Sequence, residues 1–314
     1  MLGYFYRRLL IALPTIFVII TLSFFLIRLA PGGPFDFDRA LAPEIQANLQ
    51  AQYHLDKPLY VQYGYYLAGV FQGDLGPSFQ YKNYTVTELI SQGLPVSLQL
   101  GLYAMLLALI VGCVVGMYAA YRQNSVVDYL VMSTAMIGIS IPNFVMAPLL
   151  ILVFAILFGL LPAGGWNEGQ WMYQVLPVIA LALPQIAYIA RIMRSSMIDV
   201  LHMPFIRTGL SKGLPMRYIL LRHGFKPAVL PVVSYLGPAI AGIITGSVVI
   251  EQIFGIPGLG RYFIQGALNR DYTLVMGVVI FYGVLIILLN LLVDLLYGWL
   301  DPQVRLQAEP GANG

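Results

Sequence analysis

Six apolar runs, at residues 9–27, 96–120, 130–161, 172–190, 228–250 and 274–300, leave this chain few ways to fold. Each meets or approaches the ~20 residues a helix needs to cross the hydrocarbon of a bilayer. Lipid offers no partner to a bare N–H or C=O, so runs of this length are satisfied as helices. Only 10% of the residues are charged and 59% are hydrophobic, too apolar a mixture for a soluble domain. The expected fold is an all-α integral membrane protein with six transmembrane helices. The third run is long enough to tilt or to extend past the bilayer. Pro142, Pro148, Pro177 and Pro184 predict kinks in the third and fourth runs, tolerable where neighbouring helices cover the freed carbonyls.

The cations orient these spans. With the N-terminus in the cytoplasm, Arg7, Arg8, Arg122, Arg191, Arg194, Arg207, Lys212, Arg217, Arg222, Lys226 and Arg305 fall inside. Arg28, Arg39, Lys57, Lys82, Arg261 and Arg270 fall outside. The excess inside favours cytoplasmic termini. The first run lacks a small-residue cleavage site and meets Arg28 and a Pro-Gly-Gly-Pro turn, so it is expected to stay as a first helix. The net charge of +3 belongs to this asymmetry; it implies membrane lipid as a partner and no nucleic acid.

Little in the chain suggests catalysis. A single cysteine, Cys113, allows no intramolecular disulfide, and His54, His202 and His223 are scattered, so no metal site is expected. Phosphate-loop, zinc-protease and nucleophile-elbow motifs are absent, so this chain is not expected to be an enzyme or to hydrolyse ATP. An ion-coupled secondary transporter would need midplane ionisable groups and inverted repeats. The halves differ in loop length, and Asp294, one turn from Asn290 near the end of the last run, reads as a packing or snorkelling residue.

Residues 31–95 form an external segment with helical signals of its own. Pro43 opens a helix with Ile45, Leu49 and Tyr53 on one face. Pro58 opens another, with Leu59, Tyr63, Tyr66, Leu67 and Val70 along one face and Gly73 as its stop. Thr85-Val86-Thr87-Glu88 is a capping box for a short third helix. Seven tyrosines make this segment either a surface for a partner or a lid on the helical bundle.

The connection at residues 191–227 is unusually long and basic for a protein otherwise almost all membrane. Phe205, Ile206, Arg207, Thr208, Gly209, Leu210, Ser211, Lys212 and Gly213 suit a short helix with Phe205, Ile206 and Leu210 on one side and Gly213 as its stop. Pro215 opens a second, with Met216, Ile219 and Leu220 in one stripe and Arg222 and Lys226 in another. Two short amphipathic helices at the membrane surface are therefore predicted, the first with an apolar side for docking.

The fifth run ends at Glu251-Gln252-Ile253-Phe254-Gly255-Ile256-Pro257-Gly258-Leu259-Gly260, where three glycines and a proline break any helix. Glu251, Phe254, Pro257, Gly258 and Gly260 are the candidate outer gate or pathway residues; an ordinary exit loop is the plainer reading. Glu251 borders apolar sequence, where an unpaired charge is costly, and three partners are open to it: Arg261, Arg270 or a substrate amino group.

Several of these strings resemble one known family. IRTGLSKG (206–213) followed by LRHGFKPAVLP (221–231) is similar to the cytoplasmic coupling loop of ABC-importer permeases of the dipeptide/oligopeptide type. Arg207, Thr208 and Gly209 stand where many relatives read Glu-Ala-Ala, which keeps the helix and its closing Gly213 but removes the Glu. FLIRLAPGGPF (25–35), HLDKPLYVQYGYYLAGVFQGDLGPSF (54–79) and FGIPGLGRYFIQGALNRDYTLVMG (254–277) resemble the same permeases. SIPNFVMAPLL (140–150) and LPAGGWN (161–167) look most like the B subunit of oligopeptide permeases, with weaker likeness to dipeptide, nickel or glutathione permeases. The resemblance implies a type I ABC-importer permease fold in the bacterial inner membrane that forms half of a translocation path for oligopeptides. It also implies a second homologous permease, two ATPase subunits docked on 205–213, and a solute-binding protein outside. No cofactor is expected on this chain; ATP and Mg belong to the ATPases. The expected layout is residues 1–30 as N-terminus and first span, 31–95 as external segment, 96–300 as core with the 191–227 loop, and 301–314 as a cytoplasmic tail.

Overall fold

The computed structural model describes residues 2–29 and 56–300, and those residues are almost entirely helical. In chain order the helices are α1 (Leu2–Leu29), α2 (Leu59–Phe71), α3 (Val86–Tyr121), α4 (Val126–Ser140), α5 (Asn143–Leu150, running on to Leu157), α6 (Trp171–Leu201), α7 (Pro204–Ser211), α8 (Met216–Phe254), α9 (Leu259–Leu268) and α10 (Tyr272–Leu300). Five stretches are long and apolar enough to cross a membrane: Leu10–Leu29, α3, α6, α8 and Tyr272–Val293. A sixth span is supplied by α4 and Asn143–Leu157, bent by 106° at the break between them. The expected helix opened by Pro43 and the 301–314 tail lie outside the described residues.

Three expectations change. The third span is broken, not merely kinked: Ile141 takes extended angles (φ −87°, ψ 117°) and Pro142 starts a new helix. Proline disfavours the helical region for the residue before it, and here that preference prevails. Pro148, Pro177 and Pro184 instead sit inside helices. Second, the capping box does not open a separate short helix. Glu88 accepts from Thr85 N at 2.8 Å and Thr85 Oγ1 from Glu88 N at 3.2 Å, but the helix continues through Pro95 into the span. Third, the helix opened by Pro215 is no isolated surface helix. It widens to a π-helical stretch at Ile219–Gly224 and becomes the fifth span. The connection expected at 191–227 is thus mostly helix.

The described residues divide into two compact units. One comprises Ile11–Ser97 and Pro257–Leu285. Its core is Val86, Leu89 and Ile90 of α3 against Leu259, Leu274 and Val278. Here α2 lies on α1: Phe24, almost fully buried, is ringed by Phe25, Tyr63 and Tyr66, and the Tyr63 and Thr21 hydroxyls meet at 2.7 Å. Tyr63 and Tyr66 of the predicted α2 face therefore pack, while Leu59 of that face and Tyr60 and Tyr65 outside it are exposed. The loop before α3 is fastened by Asp271, whose buried carboxylate accepts from the Ser78 hydroxyl and from Gln80 N at 3.2 Å.

The other unit is Leu98–Ile256 with Met1–Leu10 and Ile286–Gly314. Within it α6 packs on α8 and on α4. Gly112 and Gly116 of α3 let α6 approach so closely that a Cβ at 112 would sit 2.7 Å from Ile189 Cγ2, and one at 116 would strike the Ala190 carbonyl. Small residues four apart are the usual means of such approach in membranes. On α8, three glycines each seat a side-chain carboxamide: Gly237 takes Asn290, Gly242 takes Gln185 and Gly246 takes Asn143. The side chain of Asp294 lies outside the described residues.

Candidate functional site

The first candidate is α7. Pro204 occupies its first turn, preceded by extended Met203 (φ −70°, ψ 147°), as a fixed proline φ favours. Thr208 and Ser211 fold their hydroxyls back onto the carbonyls of Pro204 (3.1 Å) and Arg207 (3.0 Å). The helix closes with Gly213 N on Leu210 O (2.9 Å) and Leu214 N on Gly209 O (3.2 Å). Gly213 has φ +75°, the left-handed region that glycine enters at no steric cost. Nothing lies within 4 Å of where its Cβ would be, so glycine is required there by conformation, not by space.

The face that α7 turns inward is narrower than its sequence suggests. Ile206 is 2% exposed, whereas Phe205 and Leu210 are 42% and 45% exposed. A Cβ on Gly209 would lie 3.2 Å from Ile219 Cδ1, so the Ile206–Gly209 stripe rests on the wide first turns of α8. At 100° per residue, Phe205 and Leu210 flank that stripe, and Arg207, Thr208, Ser211 and Lys212 lie in solvent beyond them. The sequence placed three apolar residues on one side; packing divides them into one anchor and two outward apolar groups beside cations.

Below α7 the long helices are locked together. Asp128 of α4, 1% exposed, accepts from Arg194 Nε at 2.5 Å and Nη2 at 2.6 Å, and from Asn124 N at 2.9 Å. Ser125 caps the start of α4. Further along, the Tyr235 hydroxyl donates to Gln185 Oε1 at 3.0 Å, and Arg191 stacks over the Tyr188 ring at 5.4 Å. α7 is thus in contact with the start of α8, and α8 with α6.

The second candidate is the end of α8. Glu251 is fully buried, as are Phe254 and Ile256. Gly255 ends the helix at φ +67°, and Ile256 N returns to Glu251 O at 2.8 Å. The 161–167 loop folds onto this end: Gly165 N donates to Phe254 O at 2.7 Å, and a Cβ at Gly164 would be 2.7 Å from the same oxygen. In the other unit, Leu259 N donates to Ser97 Oγ at 2.9 Å, and Gly93 leaves room for Gly258. Gly258 and Gly260 are buried and Pro257 is exposed. Each side of the turn is thus packed and hydrogen-bonded within its own unit.

Sequence reading missed the carboxamide seats and the Asp128–Arg194 pair. The carboxamides were legible as lone polar residues in apolar runs (Asn143, Gln185, Asn290) and the pair as charges just outside them, but nothing local names their partners. Among the described residues no cluster of three His, Cys, Asp or Glu suitable for a metal occurs.

Comparison with known proteins bears on the whole chain. Residues 112–306 match the family described as "Binding-protein-dependent transport system inner membrane component", and residues 1–101 match its N-terminal companion. An oligopeptide transport system permease protein of Salmonella typhimurium is 56% identical over 97% of this chain and 100% of its own length. The Haemophilus influenzae protein of that description is 55% identical over the same shares. A dipeptide transport system permease protein of Bacillus subtilis is 45% identical over 98% of this chain and 99% of its own.

Proposed function

Because the chain belongs to the binding-protein-dependent transport system inner membrane components, we propose that it is the permease subunit of an ATP-driven importer of oligopeptides. The observation that carries this reading is its 55–56% identity to oligopeptide permeases across their full length. A second homologous permease completes the path, a solute-binding protein delivers peptide from outside, and two ATPase subunits supply the work. ATP and Mg are bound by those ATPases. The excess of Lys and Arg at Arg7, Arg8, Arg122, the 191–227 connection and Arg305 supports cytoplasmic termini with α7 on the ATPase side.

The mechanism follows from how α7 is held. Phe205 and Leu210 project from its two sides, the first beside Lys212 and the second beside Arg207, two exposed apolar groups each with a cation at hand for a groove on an ATPase. Closure of the ATPases displaces α7 as a rigid body, since its inner stripe is seated on Ile219. The load passes into α8 and, through the Gly242–Gln185 seat, into α6. The two spans then switch between inward-open and outward-open packings. At the far end the Glu251–Gly260 segment, clasped by the 161–167 loop, serves as the outer gate.

The test is reconstitution of the permease pair with its ATPases and binding protein in liposomes. ATP-dependent uptake of a labelled pentapeptide is expected, with Phe205→Ala/Leu210→Ala inserted normally but uncoupled. Uptake of dipeptides alone would move the substrate to that of the Bacillus relative. Uptake unaffected by the double substitution would refute the role of α7.

A further inference from the structure

Where α1 ends and α10 begins, one unit carries a partly open cavity of about 370 Å³. Leu75 and Phe79 form part of its apolar wall, and Arg28, Tyr66, Asp74 and Thr273 contribute polar groups. Two of these are already engaged. The Thr273 hydroxyl donates to Pro77 O at 2.6 Å, and Asp74 Oδ1 accepts from Gly76 N at 2.8 Å. The other two are not: Arg28 Nε and the Tyr66 hydroxyl are buried and meet no hydrogen-bond partner among the described residues. Native folds rarely leave such groups unmatched, and each instance calls for an explanation.

Both groups are donors at neutral pH. Guanidinium does not deprotonate in proteins. Burial pushes the Tyr66 phenol above its ordinary range, although neighbouring Arg28 pulls it down, so the O–H persists. Arg28 is held with its guanidinium carbon 5.5 Å from the centre of the Phe24 ring, and Tyr66 stacks on that same ring at 5.6 Å. One aromatic platform thus positions a cation and a neutral donor that both line one cavity. What two such donors lack is an acceptor with negative charge and more than one lone pair.

We propose that this cavity is a binding site for a singly charged oxyanion on an apolar body, held by Arg28 and Tyr66 with the body against Leu75 and Phe79. Asp74 in the lining disfavours a second negative charge. Arg28 lies in the last turn of the first span, so a dissolved carboxylate and the phosphate of an anionic lipid both reach this level. This site is independent of the transport reading and stands or falls by binding alone.

The experiment uses the full chain purified in a nonionic maltoside detergent. N-acetylphenylalanine, a monoanion with an apolar body, is titrated against its neutral amide by calorimetry. The acid is expected to bind saturably at one per chain and the amide at least about tenfold more weakly. Tyr66→Phe keeps the ring on Phe24 and removes one neutral hydrogen bond, so it is expected to weaken the acid about fivefold. Arg28→Gln, which removes the charge, is expected to weaken it more than about tenfold. Phosphatidylglycerol is then added and followed by native mass spectrometry. One lipid retained by the wild type, lost in Arg28→Gln and excluding the acid identifies a headgroup site. Acid binding undisturbed by the lipid identifies a soluble carboxylate. Equal binding of acid and amide, binding unchanged in both variants, or binding of neither acid nor lipid would overturn the proposal.

Discussion

Neutralising Asp128 isolates what the α4–α6 lock is worth. Its carboxylate takes two hydrogen bonds from one guanidinium, at 2.5 and 2.6 Å, while Asp128 is 1% exposed and the Arg194 side chain is 25% exposed. Removing one partner of a buried pair ordinarily costs ~3–5 kcal/mol, because the survivor stays buried and charged. The survivor in Asp128→Asn is Arg194, which already reaches solvent, so the loss should be smaller, about 2–3 kcal/mol. In Arg194→Gln the survivor is the buried carboxylate, and the full ~3–5 kcal/mol is expected. The asymmetry distinguishes a desolvated pair from a surface contact, which would cost under ~1 kcal/mol from either side. Unfolding in mixed micelles of mild detergent and dodecyl sulfate gives the free energies. Asp128→Asn/Arg194→Gln should be no less stable than Arg194→Gln, with a coupling of about 2 kcal/mol. Additive effects, or a larger loss from Asp128→Asn than from Arg194→Gln, would refute the reasoning.

Gly116→Ala places a methyl against the Ala190 carbonyl, which cannot yield without moving α6. A loss of at least about 2 kcal/mol is expected in the same micelles, while Gly64→Ala, with nothing within 4 Å of its Cβ, should be neutral or stabilising by up to about 1 kcal/mol. Gly213→Ala meets no atom but must adopt φ +75°, so about 1–2 kcal/mol of local cost and reduced, not abolished, peptide uptake are expected. Glu251→Gln should insert normally and lose most uptake in proteoliposomes; full uptake would return the buried carboxylate to a purely structural role. Reporter fusions after Arg122 and Arg207 should read cytoplasmic and those after Lys57 and Glu168 external, and an external Arg207 would overturn the orientation drawn from Lys and Arg.

Some of this protein was determined by local sequence. Length and apolarity placed the spans, because a helix is the only way for an isolated run to satisfy its backbone in lipid. The capping box at Thr85, the stops at Gly213 and Gly255, and the Met216–Ile219–Leu220 stripe were legible too, since each depends on residues within one or two turns. The outcome at each proline was not. Pro95, Pro177 and Pro184 are carried inside helices while Pro142 divides a span at 106°. A freed carbonyl is tolerable where a neighbour covers it, and neighbours are a tertiary matter. The same holds for α7. Periodicity grouped Phe205, Ile206 and Leu210, but only the position of Ile219 decided which of them is buried. Asp128 and Arg194 stand 66 residues apart, and Arg28 meets Tyr66 on a ring contributed by another turn of α1. No periodicity within a helix encodes such pairings; they exist because packing brings separate helices to one place and leaves their polar atoms to find each other.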